Sequence, residues 1–371
     1  MSWSGRAIRS TIDKSGELVL SLEQVELTEP GDDEVIVRIE ATPVNPSDSG
    51  MLLGPADLSD IREFDSRVTM TVPSERLAAI AGRLGQPMPV GNEGAGTVVA
   101  AGKNAQAFIG KRVGMSGGGM YADYRRTDMH NLIVLPEGVE AADGASIFIN
   151  PLTALGFVET ALREGHKALV HTAAASNLGQ MLQRICLADG IPLINIVRTT
   201  EQEKILRELG ATYVLNSKEP DFAARLIDAI EETGATVAFD AIGGGKLGIE
   251  IINAMERAAA RKTAAYSRYG STLFKQLYIY GGLDSAPTVL DRGGLGYAWS
   301  ISGWLLFNYL NTVSPAVLQR LRQRIVDELT TTFASRYTRT IGLADLLDPD
   351  VLRALERKAT GEKFLIDPRV G

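Results

Sequence analysis

The sequence has very little of what metal centres and disulfide frameworks need. It holds one cysteine, Cys186, and three histidines, His130, His166 and His171, in 371 residues. A single thiol excludes an internal disulfide and any site that requires two or more thiolates. The histidines stand at no metal-ligand spacing. An unbroken apolar run of about 18 residues, the length a membrane span needs, is also lacking. The nearest approach is "LGYAWSISGWLLFNYL", 295 to 310, whose Ser and Asn residues and short length predict a buried or interface helix instead. The N-terminal "MSWSGRAIRSTIDKSG" has no apolar core of the kind a secretory signal uses, so the expectation is a cytoplasmic chain with no membrane partner. Positive charge is not in excess either: 38 Lys and Arg stand against 45 Asp and Glu, a net charge of −7. That balance argues against binding nucleic acid through a general basic face.

What is present is an ordinary globular composition, 45% hydrophobic and 22% charged, in a chain long enough for two cores. From about 17 to 48 short apolar strands, "ELVLSLEQVEL" and "EVIVRIEAT", flank the turn-forming "TEPGDD". The same character resumes at "VGNEGAGTVVAAG", "KRVGMSGGGMYADYRRT" and "NLIVLPEG", so residues 1 to about 140 predict a small, Gly-rich, mostly antiparallel barrel. Between them, 54 to 88 is more polar and less regular, an inserted excursion with a helix-like patch at 74 to 84. After the helical "GASIFINPLTALGFVETALRE" the rhythm changes. The apolar runs "ALVHT", "PLINIVR", "TYVLN", "TVAFDAI" and "QLYIYGG" read as strands, and helices are expected at 177 to 188, 201 to 209 and 221 to 232. Alternation of that kind predicts a doubly wound parallel sheet. A Ser-Pro start announces a further helix in "SPAVLQRLRQRIVDELTTTF", and "KFLIDP" is the last strand candidate.

The first strand of the α/β part runs into "HTAAASNLG", where a dinucleotide fingerprint would carry three glycines and only Gly179 is found. Small residues can do part of that work: Thr172, alanines 173 to 175, Ser176 and Asn177 keep the turn tight, Asn tolerates positive φ, and Gly179 lets helix and strand pack closely. Any small-residue turn in an α/β sheet would look similar. The second strand adds Arg198 about 20 residues on, where an acid would suit the ribose of NAD and an arginine suits the 2′-phosphate of NADP. NADPH is therefore the expected cofactor, against the alternative of a solvated strand-end arginine.

Read in order, "ATPVNPSD" (41 to 48), "VGNEGAGTVVAAG" (90 to 102), "GGGMYADY" (117 to 124), "NPLTALG" (150 to 156), "HTAAASNLG", "FDAIGG" (239 to 244) and "TGEKFLIDP" (360 to 368) cover nearly the whole chain. In these motifs the chain resembles the zinc-independent quinone oxidoreductases of the medium-chain dehydrogenase/reductase superfamily. The "TAAASNLG…INIVR" portion is also similar to mitochondrial enoyl thioester reductases. The resemblance implies an α/β protein with a GroES-like β-barrel catalytic domain, 1 to 141 completed by 311 to 371, and a Rossmann NADP-binding domain, 142 to 310. It implies a cofactor in the cleft between the two, its pyrophosphate at 174 to 179, and a homodimer.

The same resemblance bears on metal. Zinc alcohol dehydrogenases of this superfamily place a Cys where this sequence has Asn45 and a His where it has Asn92, and their Cys-rich structural lobe is missing, so no metal site is expected. Chemistry without a metal then means hydride donation to an activated small-molecule acceptor, a quinone or an enone, with the protein supplying binding, orientation and hydrogen-bond donors. Implied site residues follow by motif. Asn45 and Thr153 would lie near the nicotinamide and Tyr121 could reach the cleft; their plain roles are a turn former, a helix N-terminal Thr and packing. Ala174, Ser176, Asn177, Leu178, Gly179 and Arg198 would hold the phosphates. Asn216, Gly243, Gly281 and Gly282 at strand ends would line the groove, Tyr266 would stand near the cofactor in "RKTAAYSRYGST", and Lys363 could approach the phosphates or the nicotinamide edge. Enoyl thioester reductases carry a catalytic Tyr in the region that is here 51 to 88, which holds no Tyr, so that activity is the alternative, with Arg125 and Arg126 as the basic pair for a phosphopantetheine or nucleotide tail. A catalytically silent nucleotide-binding relative is the third reading, since the glycine turn is eroded.

Overall fold

The computed structural model describes residues 3–64, 66–263, 266–357 and 361–371. Thr360 of the terminal motif and Ala264 and Ala265 of the connection before the fifth parallel strand lie outside the described residues. The chain forms two compact units, one of Met1–Ile149 with Ile325–Gly371 and one of Asn150–Arg324.

The first unit begins with a long antiparallel hairpin, Trp3–Ile12 against Glu17–Leu27. Its turn is written in "DKSGE": the Asp13 carboxylate accepts the backbone N–H groups of Ser15 and Glu17 at 2.8 and 3.0 Å, and Gly16 takes φ 88°. Only glycine enters that left-handed region without strain. A five-stranded sheet grows on this hairpin, and a seven-stranded one forms around Glu34–Pro43, which pairs with both Glu93–Ala101 and Tyr124–Asp128. The far end of the chain returns here, with Phe364–Ile366 pairing antiparallel to the end of Glu34–Pro43. Ile8, Ile12, Leu18 and Leu20 from the hairpin meet Leu352 and Ile366 from the C-terminal part in one apolar cluster. Chain ends far apart in sequence thus share one core. At about 25 cal/mol per Å² of buried apolar surface, such burial is the main term holding them.

Two expectations for this unit change. The excursion at 54 to 88 is built into the sheet: Asp57–Phe64 and Arg67–Thr71 form strands, and the second pairs with Glu17–Ser21. Its alternation is short but sufficient, since Val68 and Met70 are buried while Arg67 and Thr71 are exposed. The helical patch does form, over 74–83. The other change concerns apolar length. Ala141–Arg163 is long and apolar enough on average to cross a membrane, although charged residues interrupt it, and 83% of its apolar window is buried inside the protein, as in a core helix.

The second unit has six parallel strands in the order Tyr213–Asn216, Leu193–Val197, Leu169–His171, Val237–Asp240, Lys275–Ile279 and Trp299–Gly303. The helices Asn177–Ala188, Thr200–Glu208 and Phe222–Thr233 form where the apolar spacing placed them. Leu247–Arg261 is a fourth, which the sequence reading passed over. The helix expected across 295 to 310 is instead the edge strand Trp299–Gly303 followed by the short helix Leu306–Leu310. Hydrogen bonding to Lys275–Ile279 decides this, because "WSISG" satisfies its backbone on the sheet and leaves only a half-buried face. Behind the strands Phe157 stacks on Phe239 at 4.2 Å and meets Trp304 edge-on at 4.7 Å.

Candidate active site

In the parallel unit the sheet order runs outward from the first strand on both sides, so ligands of such sheets sit at the strand carboxyl ends where the order reverses. The strand Leu169–His171 ends there, and "TAAAS" turns the chain into Asn177–Ala188. Ser176 is the N-cap and its hydroxyl accepts the Gly179 N–H at 3.2 Å. Positive φ falls at Ala173, at 50°, and not at Asn177. Ala173 holds that strained conformation in the place of a fingerprint glycine. Gly179 cannot be replaced: a Cβ there would stand 2.1 Å from the Ala174 carbonyl oxygen. Close helix-to-turn packing, the task of the last fingerprint glycine, is thus retained at the one glycine left.

A pair of polar residues that the sequence reading did not assign joins this turn to the neighbouring strand. Thr172 donates to Asp240 at 2.6 Å and accepts from the Ala241 N–H, while Asp240 also takes the N–H groups of Ile242 and Gly243. Beside it the buried His171 bonds the Tyr280 hydroxyl at 2.7 Å, and burial lowers its imidazole to about 3, which keeps it neutral. His166 is held likewise by Thr236 at 2.6 Å. These histidines serve the sheet.

The other expected residues of this unit fall into two groups. Arg198 is exposed at the end of Leu193–Val197; its backbone N–H is held by Gln202 at 3.0 Å and no described residue pairs with its guanidinium. Asn216 is buried and accepts the Lys218 N–H, so it closes its own turn. Gly243 and Gly281 lie against each other, a Cβ on Gly243 standing 2.7 Å from the Gly281 carbonyl. Gly281 and Gly282 line an open pocket of about 460 Å³ with Tyr280, Trp304 and Asn308. Thr153 is buried in the helix Ile149–Arg163. Tyr266 is 94% exposed.

The barrel unit holds a different kind of site. Asn45 precedes the helix Pro46–Leu52, and its side-chain amide donates to Glu93 Oε1 at 2.8 Å. The other oxygen of Glu93 accepts the N–H groups of Phe148 and Ile149, both at 2.9 Å. Asp48 accepts the Asn45 and Asn92 N–H groups at 2.8 and 2.9 Å. Both carboxyls are fully buried. Burial pushes Asp48 up to about 7, helped by the Glu93 charge, and the hydrogen bonds only partly offset it. Burial raises Glu93 as well. Tyr121 is buried against Gly91 and Asp48, and desolvation with the Asp48 charge drives its hydroxyl well above the usual range. Lys363 is half-buried, its ammonium donating to Ser146 Oγ at 2.9 Å; burial lowers it to about 8, while Glu93 and Asp48 pull the other way. The acids were legible beside the asparagines already singled out, in "NPSD" and "GNEG". Ser146 and its partner Tyr337 had no signal in the sequence.

Zinc does not fit these residues. Asn45 and Asn92 offer neither thiolate nor imidazole, Asn45 is committed to Glu93, and no group of three His, Cys, Asp or Glu among the described residues could hold a metal. Cys186 is buried and its thiol is raised by burial. A dinucleotide fits better, given the capped helix, the Cβ-free approach at Gly179 and the unpaired Arg198 guanidinium.

An antiparallel barrel unit joined to a 3-2-1-4-5-6 parallel sheet is the architecture of alcohol-dehydrogenase-type oxidoreductases. Comparison with known proteins agrees. The alcohol dehydrogenase GroES-like domain family matches residues 31–137, and the zinc-binding dehydrogenase family matches 178–260. The mitochondrial enoyl-[acyl-carrier-protein] reductase of Xenopus tropicalis is 31% identical over 233 residues, which span 58% of this chain and 58% of that protein. Human quinone oxidoreductase is 27% identical over 248 residues, 65% of this chain and 68% of the relative. A solved structure from Mesorhizobium loti, provisionally named an NADPH:quinone reductase, superposes with a TM-score of 0.73 at 26% identity, covering 98% of each chain. The chain belongs to the medium-chain dehydrogenase/reductase superfamily and is similar both to its quinone oxidoreductases and to its enoyl reductases.

Proposed function

We propose that the protein is an NADPH-dependent reductase that passes hydride to a quinone or an α,β-unsaturated carbonyl without a metal. The observation that carries this reading is Arg198, a guanidinium with no described partner at the end of the second parallel strand, where NAD-specific sites carry an acid. Gly179, Ser176, Asn177 and Leu178 would hold the pyrophosphate at the helix N-terminus through backbone N–H groups, with Ala174 keeping the turn close. When bound, the cofactor supplies the hydride. The chain's own residues would orient the acceptor and meet the charge that develops on its oxygen, with the Lys363 ammonium as the donor in the barrel unit. An enoyl-thioester reductase is the second reading, favoured by the identity to the Xenopus tropicalis enzyme; the lack of a Tyr between 51 and 88 counts against it.

Titration with NADPH and NADH, followed by nicotinamide fluorescence, tests the proposal. NADPH is expected to bind the more tightly, and Arg198→Ala should weaken it tenfold or more, about 1.4 kcal/mol for one charge-assisted contact, with NADH little changed. No binding of either cofactor would sink the reductase reading and leave a silent relative.

A further inference from the structure

Reduction of a quinone or enone needs a proton as well as a hydride, and around Lys363 the barrel unit contains a set of groups able to supply one. Tyr337, half-buried, shares a hydrogen bond of 2.8 Å with the buried Ser146, and Ser146 accepts from the Lys363 ammonium at 2.9 Å. The Lys363 nitrogen also lies 5.3 Å from the centre of the Tyr337 ring. The Tyr337 hydroxyl is also hydrogen-bonded by the Ser335 side chain. Thr338 and Lys363 bond through their backbones, so the strand pairing of Arg339–Ile341 with Phe364–Ile366 fixes Tyr337 and Lys363 side by side. On the other side, the acids facing Lys363 are Glu93 from the strand Glu93–Ala101 and Asp48 from the helix Pro46–Leu52. Tyr121 lies against Asp48, and Asp143 faces Tyr337.

Resting on the reductase reading above, we propose that Lys363 is the general acid of the reaction, with Ser146 and Tyr337 as the positioning residues that hold its ammonium and return its proton. Bound NADPH would supply the hydride, and with it two electrons, to the acceptor. The acceptor's anionic oxygen or carbon then takes a proton from Lys363, so one N–H bond breaks and one O–H or C–H bond forms. The neutral amine recovers a proton from the Ser146 hydroxyl, Ser146 from Tyr337, and Tyr337 from water. Net consumption is one hydride and one proton per acceptor. An arginine would hold the same charge but gives up its proton only far above neutral pH. A phosphate-holding lysine would, by contrast, be replaced by arginine with little loss.

Lys363→Arg separates these roles. Proton donation predicts that the unmodified protein loses rate as pH rises past about 8, and that Lys363→Arg lowers kcat for a quinone at least tenfold, keeps NADPH affinity within threefold and removes that alkaline limb. Tyr337→Phe should shift that limb and enlarge the solvent deuterium isotope effect without changing NADPH affinity. In the cofactor-free protein, NMR of lysine ε-CH₂ groups should show one lysine titrating near pH 8, absent in Lys363→Arg and moved in Tyr337→Phe. A Lys363→Arg variant with an unmoved limb, or one whose rate loss is matched by lost NADPH affinity, overturns the proton-donor role while leaving the reductase reading intact. Failure of the unmodified protein to bind NADPH overturns both.

Discussion

The two units prepare their chemistry in opposite ways. The parallel unit offers backbone and an exposed charge: a helix N-terminus capped by Ser176, a turn too close for any side chain at Gly179, and Arg198 in solvent. The barrel unit offers buried, ionisable side chains held by directed hydrogen bonds, with Asp48, Glu93, Tyr121 and Lys363 all displaced from their ordinary proton affinities mainly by burial. The difference teaches where sensitivity should lie. A site made of backbone and exposed charge depends on shape and tolerates pH, whereas one made of desolvated acids and a lysine depends on proton occupancy.

The largest break in that contrast is expected from Gly179→Ala. Its added Cβ meets a backbone oxygen that cannot move alone, so the variant should lose about 3 kcal/mol of stability, read as a lower Tm, together with NADPH binding. A stable variant with intact binding would mean that the turn is not a shape-determined site. Glu93→Ala should cost about 2 kcal/mol, because the N–H groups of Phe148 and Ile149 and the Asn45 amide lose a buried acceptor. Denaturant unfolding would measure it, and a loss confined to activity would contradict the structural part of that role.

Asp48 sharpens the pH side. Its carboxyl rises from an ordinary value near 3.8 to about 7 in the folded protein, so between those values the native state binds more protons than the unfolded one. Its contribution to stability is therefore present at acid pH and is lost as pH rises towards 7. In Asp48→Asn that loss should shrink by about 4 kcal/mol between pH 4 and pH 7.5, measured by unfolding at each pH. Parallel curves for variant and parent would show that the Asp48 proton does not distinguish the two states.

Much of the architecture could be read from patterns. The apolar runs gave five of the six parallel strands because strands covered on both faces are apolar without interruption. The sixth, Trp299–Gly303, was read as helix because a lone edge strand with one half-buried face lacks that signature. The excursion at 54 to 88 hid its strands for a similar reason, since only Val68 and Met70 mark the inward face of the second one.

Of the candidate sites, the sequence by itself determined the residue types along the turn at 172 to 179 and the arginine after the second strand, because a βα unit sets those positions by local spacing. It also fixed that the positions of Asn45 and Asn92 could not supply thiolate or imidazole. Only the tertiary structure decided that Ala173 takes the strained φ, that Tyr266 is exposed, and that Ser146, Tyr337 and Lys363 form one chain. Ser146 and Lys363 are separated by 217 residues. Contacts over such distances arise from strand pairing and burial, and no local pattern in the sequence encodes them.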